Sequence, residues 1–436
     1  MRGLVHYLFI LLCLNFSIAH ADVLPIQSFK TPSGLEVWLI EDRSTPLVSL
    51  VLKFERTVNE SPYQPSTLLF QRALADGAGV LTPLEMNRFV KETPSTASLD
   101  VGFSKTSLTL QTTKEGLAAT LQLWARLIEN PEFQKANLSH SKSQTITRLS
   151  YYEEDLGLIG FLKLLQEIFP DITINIDFEN AAKSIEAMTA DDLKKETTKQ
   201  FLSAKPKIVV VGNVNKNELT DLLDSSMGKI SILPSSNPPP SPKPDWHNKD
   251  LMIHKDVPQS VVAFAQPGLN PHHKDYPKYV LLQYVLYTRM FDELREKRGM
   301  IYSIQYSDLH YKGVDLLFGN FSCECSNSSK TAKFIRSEWE RLKDFGITQQ
   351  ELSAAILAYK RDKVLTLTST LQVANEYAFP MAFNLGPDSA KTLLEQTEKV
   401  TLEDINQFVS EILKPESLSF VLLGSSVQTS KPRGNK

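Results

Sequence analysis

Side chains that could bind a metal or act as nucleophiles are few, and their spacing argues against the common hydrolytic sites. Downstream of residue 21 lie six histidines: His140, His247, His254, His272, His273 and His310. No two stand at i, i+4, and neither H-E-x-x-H nor H-x-x-E-H occurs, so the commonest marks of a catalytic zinc site are missing. His272 and His273 are adjacent, so their side chains diverge, and Asn270-Pro271 before them marks a polar, solvated loop. Cys323 and Cys325 are two apart and would share one face of a strand. With no Cys or His partner near in sequence they read as buried or paired structural thiols. G-x-S-x-G, G-x-x-x-x-G-K and G-x-G-x-x-G are all absent, which removes the hydrolase elbow and the usual phosphate loops.

One segment groups charge with a phenol: FDELREKRGMIYSI, from Phe291 to Ile304. Its plain reading is structural. Basic residues complement the C-terminal end of a helix dipole, Gly299 stops the helix, and Tyr302 enters a strand.

The elements that would position such residues form an ordinary globular chain. Of 436 residues 42% are apolar and 22% charged, with a net charge of −3, which excludes disordered and collagen-like classes and offers no basic field for nucleic acid. Three cysteines cannot build a disulfide scaffold. Residues 1–21 resemble a secretory signal: Arg2, the apolar run Leu8–Leu14, then Ala19-His20-Ala21 as a cleavage site. That run is short for a bilayer and no second one follows, so no stable membrane span is expected after cleavage. Few cysteines and the absence of a retention signal point to export, with the bacterial periplasm as the compartment.

Residues 231–249 hold six prolines and read as an extended linker. They divide the chain into a first half, 22–230, and a second, 250–430, with a tail at 431–436. The halves repeat each other. The strand run from Leu47 returns at Val261, and the helix around Leu138 returns at Leu352, both 214 residues on; the closing strands end at Gly212 and Gly424. In the first half the pattern predicts helices at 66–75, from Pro83 and at 117–128, with one alternating strand over 98–112. In the second it predicts a helix over 278–297, strands over 301–306 and 314–325, and helices over 331–344 and 349–365. The class is α+β: two homologous halves, each a mainly antiparallel sheet covered by helices.

These features resemble the pitrilysin/insulinase family of inverted-motif zinc metallopeptidases, across the whole chain after residue 21. TPSGLEV at Thr31–Val37, followed by Ser44-Thr45-Pro46, is similar to the family's opening strands, and LREKRGMIYS at Leu294–Ser303 to its second-half element. The resemblance implies two halves closing like a clamshell around an extended peptide, each sheet covered on one face by helices. Active members carry H-x-x-E-H on a first-half helix and a distal Glu. Alignment puts Leu68 and Arg72 at the two histidines and Gln71 at the glutamate; the distal ligand falls near Arg148, with Glu153 and Glu154 beside it. Leu cannot ligate, Arg repels a cation, and Gln cannot take a proton, so no zinc is expected on this chain. Arg295 and Tyr302 match the family's second-half pair, which by resemblance serves the substrate carbonyl and the oxyanion. Asp100, in an edge strand like the one that pairs with substrate, stands where the family usually has Asn. No glycine lies between Tyr279 and Arg298, so the Gly-rich loop of some members is missing. The implied role is the non-catalytic subunit of a two-chain peptidase, with zinc in a partner chain that carries the motif. The alternatives are a peptide-binding or scaffold protein with no role in proteolysis, and an enzyme with a site of another kind.

Overall fold

The computed structural model describes residues 25–56, 58, 60–133, 135–233, 240–246 and 250–425. The expected signal at 1–21, part of the linker and the tail lie outside them. The first half contains β1 (Ile26–Lys30), β2 (Glu36–Glu41), β3 (Leu47–Glu55), α1 (Pro65–Ala75), α2 (Pro83–Glu92), β4 (Ser95–Val101) and β5 (Lys105–Thr113). It continues with α3 (Leu117–Glu129), α4 (Lys135–Glu154), α5 (Leu156–Ile168), α6 (Phe178–Ala187), α7 (Ala190–Phe201), β6 (Lys207–Gly212) and α8 (Lys216–Ser225). The second half contains β7 (Asp250–His254), β8 (Ser260–Pro267), α9 (Tyr276–Met290), a π-helix (Phe291–Glu296), β9 (Ser303–Tyr311) and β10 (Val314–Cys323). Then come α10 (Ser328–Phe345), α11 (Gln349–Thr366), α12 (Thr370–Ala382), α13 (Ser389–Glu398), α14 (Leu402–Ile412) and β11 (Ser419–Gly424).

The strands form two sheets, ordered β1-β2-β6-β3-β5-β4 and β7-β11-β8-β10-β9. Apart from the extra β1 the orders correspond strand for strand, and each sheet has one parallel pair, β2–β6 and β7–β11, among antiparallel ones. This is the expected α+β repeat.

The covering of the sheets departs from expectation. Leu50, Leu52, Ile208 and Val210 face the first half's own helices, while Val51, Val209 and Val211 on the opposite face pack against Ala374, Tyr377, Ala378 and Met381 of α12. Reciprocally, α5 of the first half lies on β8 and β11. Phe161 meets Phe318 edge-on at 4.7 Å, and Gly160 lets α5 approach Ala263 and Leu423. Each sheet is therefore covered on both faces, the second time by a helix from the other half. That is why β6, KIVVVG, reads as an unbroken apolar run rather than an alternating one. Each larger side chain so buried contributes about 1.5–3 kcal/mol.

Four local expectations need correction. The alternating strand over 98–112 is a hairpin, β4 and β5, turned at Gly102–Ser104, where the Gly102 N–H bonds the Lys105 carbonyl at 2.9 Å; alternation continues through so tight a turn. The helix over 278–297 loses α geometry at Phe291. The strand over 301–306 begins at Ser303 and runs to Tyr311. The strand over 314–325 stops at Cys323, so the two thiols do not share a face: Cys323 is fully buried, its pKa pushed up to about 12 by burial, and Cys325 lies in the following turn, both unpaired. His272 and His273 are exposed in their loop, as predicted.

Candidate functional site

The helix aligned with the zinc motif, α1, begins with Pro65 at its first turn and buries Leu68, Leu69, Phe70, Ala73 and Leu74 in the core. Leu68 is 8% exposed, a packing residue with no donor to offer. Arg72 is engaged: its Nη2 lies 2.8 Å from Asp76 Oδ1 and its Nε donates to Oδ2 at 3.0 Å. The Ser141 hydroxyl of α4 donates to the same Oδ2 at 2.7 Å. A fork from Arg and a hydroxyl thus satisfy the buried Asp76 carboxylate. Gln71 is half-buried on the same helix.

On α4, Arg148 sets its guanidinium over the Tyr152 ring at 5.4 Å, and Tyr152 meets Tyr63 edge-on at 6.0 Å. Burial raises the Tyr63 pKa, and Tyr152, Asp100 and Asp155 add to the rise. Glu153 and Glu154 are exposed at the end of α4, and the Glu153 carbonyl accepts from Lys255 of the second half at 2.8 Å. Among the described residues no three His, Cys, Asp or Glu side chains gather to hold a metal. The donor set on α1 and α4 does not fit zinc: an aliphatic, an amide and two guanidinium groups occupy the positions that would surround it.

The second-half element is built differently. Leu294, fully buried, anchors the π-helix, and the Met300 N–H reaches its carbonyl at 2.7 Å. The wide turn projects Arg295 outward; π-segments of this kind occur often at functional sites. The Arg295 guanidinium lies 5.0 Å from the Phe291 ring centre, and Phe291 stacks on Tyr287. Its nearest carboxylate, Glu296, is 4.0 Å away, and the side chain is 47% exposed. Gly299 ends the segment at φ +59°, a conformation that costs an L side chain energy. Tyr302, 45% exposed, is held by its N–H to the Ser322 carbonyl at 2.8 Å, one residue before β9.

Arg295 and Tyr302 therefore sit in one short segment at the start of an edge strand. No hydrogen bond, ion pair or ring contact joins them to each other or to Leu68, Gln71 or Arg72. Asp100 is exposed on β4, the outer strand of the first sheet, opposite Ser107. Sequence reading missed the Arg72–Asp76–Ser141 cluster, although the i, i+4 spacing of Arg72 and Asp76 was a visible cue. It also missed Lys53, Lys105, Lys207 and Lys312, which converge at the seam between the halves; strand alternation could have aligned only the first three.

A sequence-family profile described as "Peptidase M16 inactive domain" matches residues 187–359. The non-peptidase homologue YmxG of Helicobacter pylori is 23% identical over 370 residues, spanning 82% of this chain and 84% of that protein. The crystal structure of a peptidase M16 inactive domain from Pseudomonas fluorescens superposes with a TM-score of 0.79 at 19% identity, over 93% of this chain and 98% of that one. The periplasmic protease PqqL of Escherichia coli superposes with a TM-score of 0.71 at 17% identity, over 92% of this chain and 45% of PqqL. At these identities the structural likeness establishes the two-half fold. With the profile matched over residues 187–359 and the absence of H-x-x-E-H, the chain is similar to non-peptidase homologues of the pitrilysin/insulinase-type M16 metallopeptidases.

Proposed function

We propose that this chain is the non-catalytic subunit of a two-chain, exported zinc peptidase. A partner with an intact H-x-x-E-H motif would hold the zinc, and this chain would supply Arg295 and Tyr302 to the peptide carbonyl and the oxyanion that forms from it. The observation that carries the reading is an asymmetry. The residues on α1 are absorbed into packing and the Asp76 ion pair, whereas Arg295 and Tyr302 are half-exposed, with Glu296 at 4.0 Å from Arg295 but no hydrogen-bonded carboxylate of the kind that holds Arg72. A guanidinium and a phenol free of such partners are suited to a charge that develops only during reaction. The outer strand β4, with Asp100, offers an open edge to an extended peptide. PqqL, a neighbour in fold, is a periplasmic protein, and that compartment is proposed here too.

The test is a pull-down with tagged chain from the native source, with zinc content and peptidase activity measured on the eluate. A co-eluting zinc-motif homologue is expected, and Arg295→Ala should lower its kcat by about 10²–10³. Unchanged activity with Arg295→Ala and Tyr302→Phe would remove the catalytic role and leave a peptide holder or scaffold.

A further inference from the structure

Four lysines meet where the first sheet's inner face, the end of α12 and the β9–β10 turn come together. Lys53 on β3 stands directly opposite Lys207 on β6, and Lys105 lies on the next strand. Lys312 reaches in from the β9–β10 turn, which Tyr311 anchors against Phe103 and Phe169 at 5.4 Å each. Two of the ammonium groups are held by neutral oxygens: Lys207 donates to the Asn384 side chain and Lys312 to the Arg56 carbonyl. Only Lys105 has a carboxylate, Glu55, and its ammonium lies 5.9 Å from the Phe383 ring centre. Like charges placed opposite each other across strands destabilise a sheet. Burial, aided by the charge of Lys105, lowers the proton affinity of Lys53, Lys207 and Lys312, the last to about 8; Arg56 adds to the effect at Lys312, and Asp100, Glu55 and Glu36 oppose it only in part. A fold that collects four partly desolvated ammonium groups with one bonded carboxylate has an anion site in search of its anion.

The position suggests which anion. The cluster lies on the sheet face that carries Asp100 at the open edge of β4, so alternate side chains of a strand added to that edge would look across it. We infer that the cluster is a subsite for the carboxylates of an extended acidic peptide, so that this chain selects acidic over basic peptides. The inference takes from the proposed function only that a peptide lies along the inner face.

The experiment measures anisotropy of a fluorescein-labelled decapeptide with glutamate at alternate positions against its glutamine and lysine counterparts, with the full chain at low salt. The glutamate peptide should bind roughly tenfold tighter than the glutamine one, a difference of about 1.4 kcal/mol, and its advantage should fall as salt screens the cluster. Lys53→Met combined with Lys105→Met should erase the advantage, and Asp100→Asn should increase it. The peptide ratio and its salt dependence need no variant, so they decide the matter even if the double substitution fails to fold. Equal affinity for all three peptides would overturn the inference and leave the peptide-holding reading standing. Displacement by inorganic phosphate as effective as by free glutamate peptide would reassign the cluster to small anions and overturn it as well. If no peptide binds, the peptide-holding reading falls with it.

Discussion

Arg72 shows how a family position can be lost without leaving a gap. Its fork satisfies Asp76, which Ser141 also bonds, and Leu68 one turn earlier is part of the core. Restoring the motif letters therefore disturbs the fold. The triple variant Leu68→His, Gln71→Glu, Arg72→His should lose about 2–4 kcal/mol, from the buried leucine and from a carboxylate left without its cation. It should also bind well under one zinc per chain, because Arg148 stands near the distal ligand position. Urea unfolding and metal analysis by mass spectrometry check both; full zinc occupancy at wild-type stability would refute the account. The residue types at 68, 71 and 72 were legible in the sequence, but their new partners were not, since Ser141 joins Asp76 from another helix.

At the scale of elements, the sequence showed α1–α4, α9–α11 and most strands because their periods differ, but left α5–α8 and α12–α14 unplaced; where it showed helix starts, it did so by their chemistry. Thr82 and Glu85 form a capping box around Pro83. It failed where a period runs through a turn, at Gly102–Ser104, and where backbone geometry changes without punctuation, at Phe291. It also could not show that α5 and α12 change partners: an apolar stripe tells that a helix is covered, not by which sheet. Gly160 makes that exchange testable. A Cβ there would lie 3.2 Å from the Leu423 side-chain end and 3.5 Å from the Ala263 Cβ. Gly160→Ala should be close to neutral, because Leu423 can shift and alanine favours the helix. Gly160→Leu should wedge α5 off the second sheet and cost about 1–3 kcal/mol. Thermal melts of the two variants decide it, and a Gly160→Leu protein as stable as wild type would mean that α5 is not closely seated.

For the whole molecule the repeat at 214 residues gave two halves, yet the structure makes them interdependent. The first sheet's second face depends on α12, and the second sheet's on α5. Residues 25–233 and 250–425 expressed separately should each expose a sheet face and bind a hydrophobic dye, and together they should reassemble into a species with a cooperative melt. Either piece melting cooperatively by itself would contradict this. The seam lysines belong to this scale too, since Lys312 comes from one half and Lys53, Lys105 and Lys207 from the other, a convergence no local pattern announces.

The exchanged helices also set an order of events during synthesis. β6, the last strand of the first sheet, is complete at Gly212, but the helix that covers the face of Val209 and Val211 ends at Ala382. A growing chain must therefore carry an unfinished first half, with Val51, Val209 and Val211 still facing water, through the synthesis of another 170 residues. Such long-range closure slows folding and prolongs the exposure of apolar strands. The nascent protein is thus a long-lived client for whatever holds unfolded chains, and it cannot mature domain by domain as its repeated sequence would suggest.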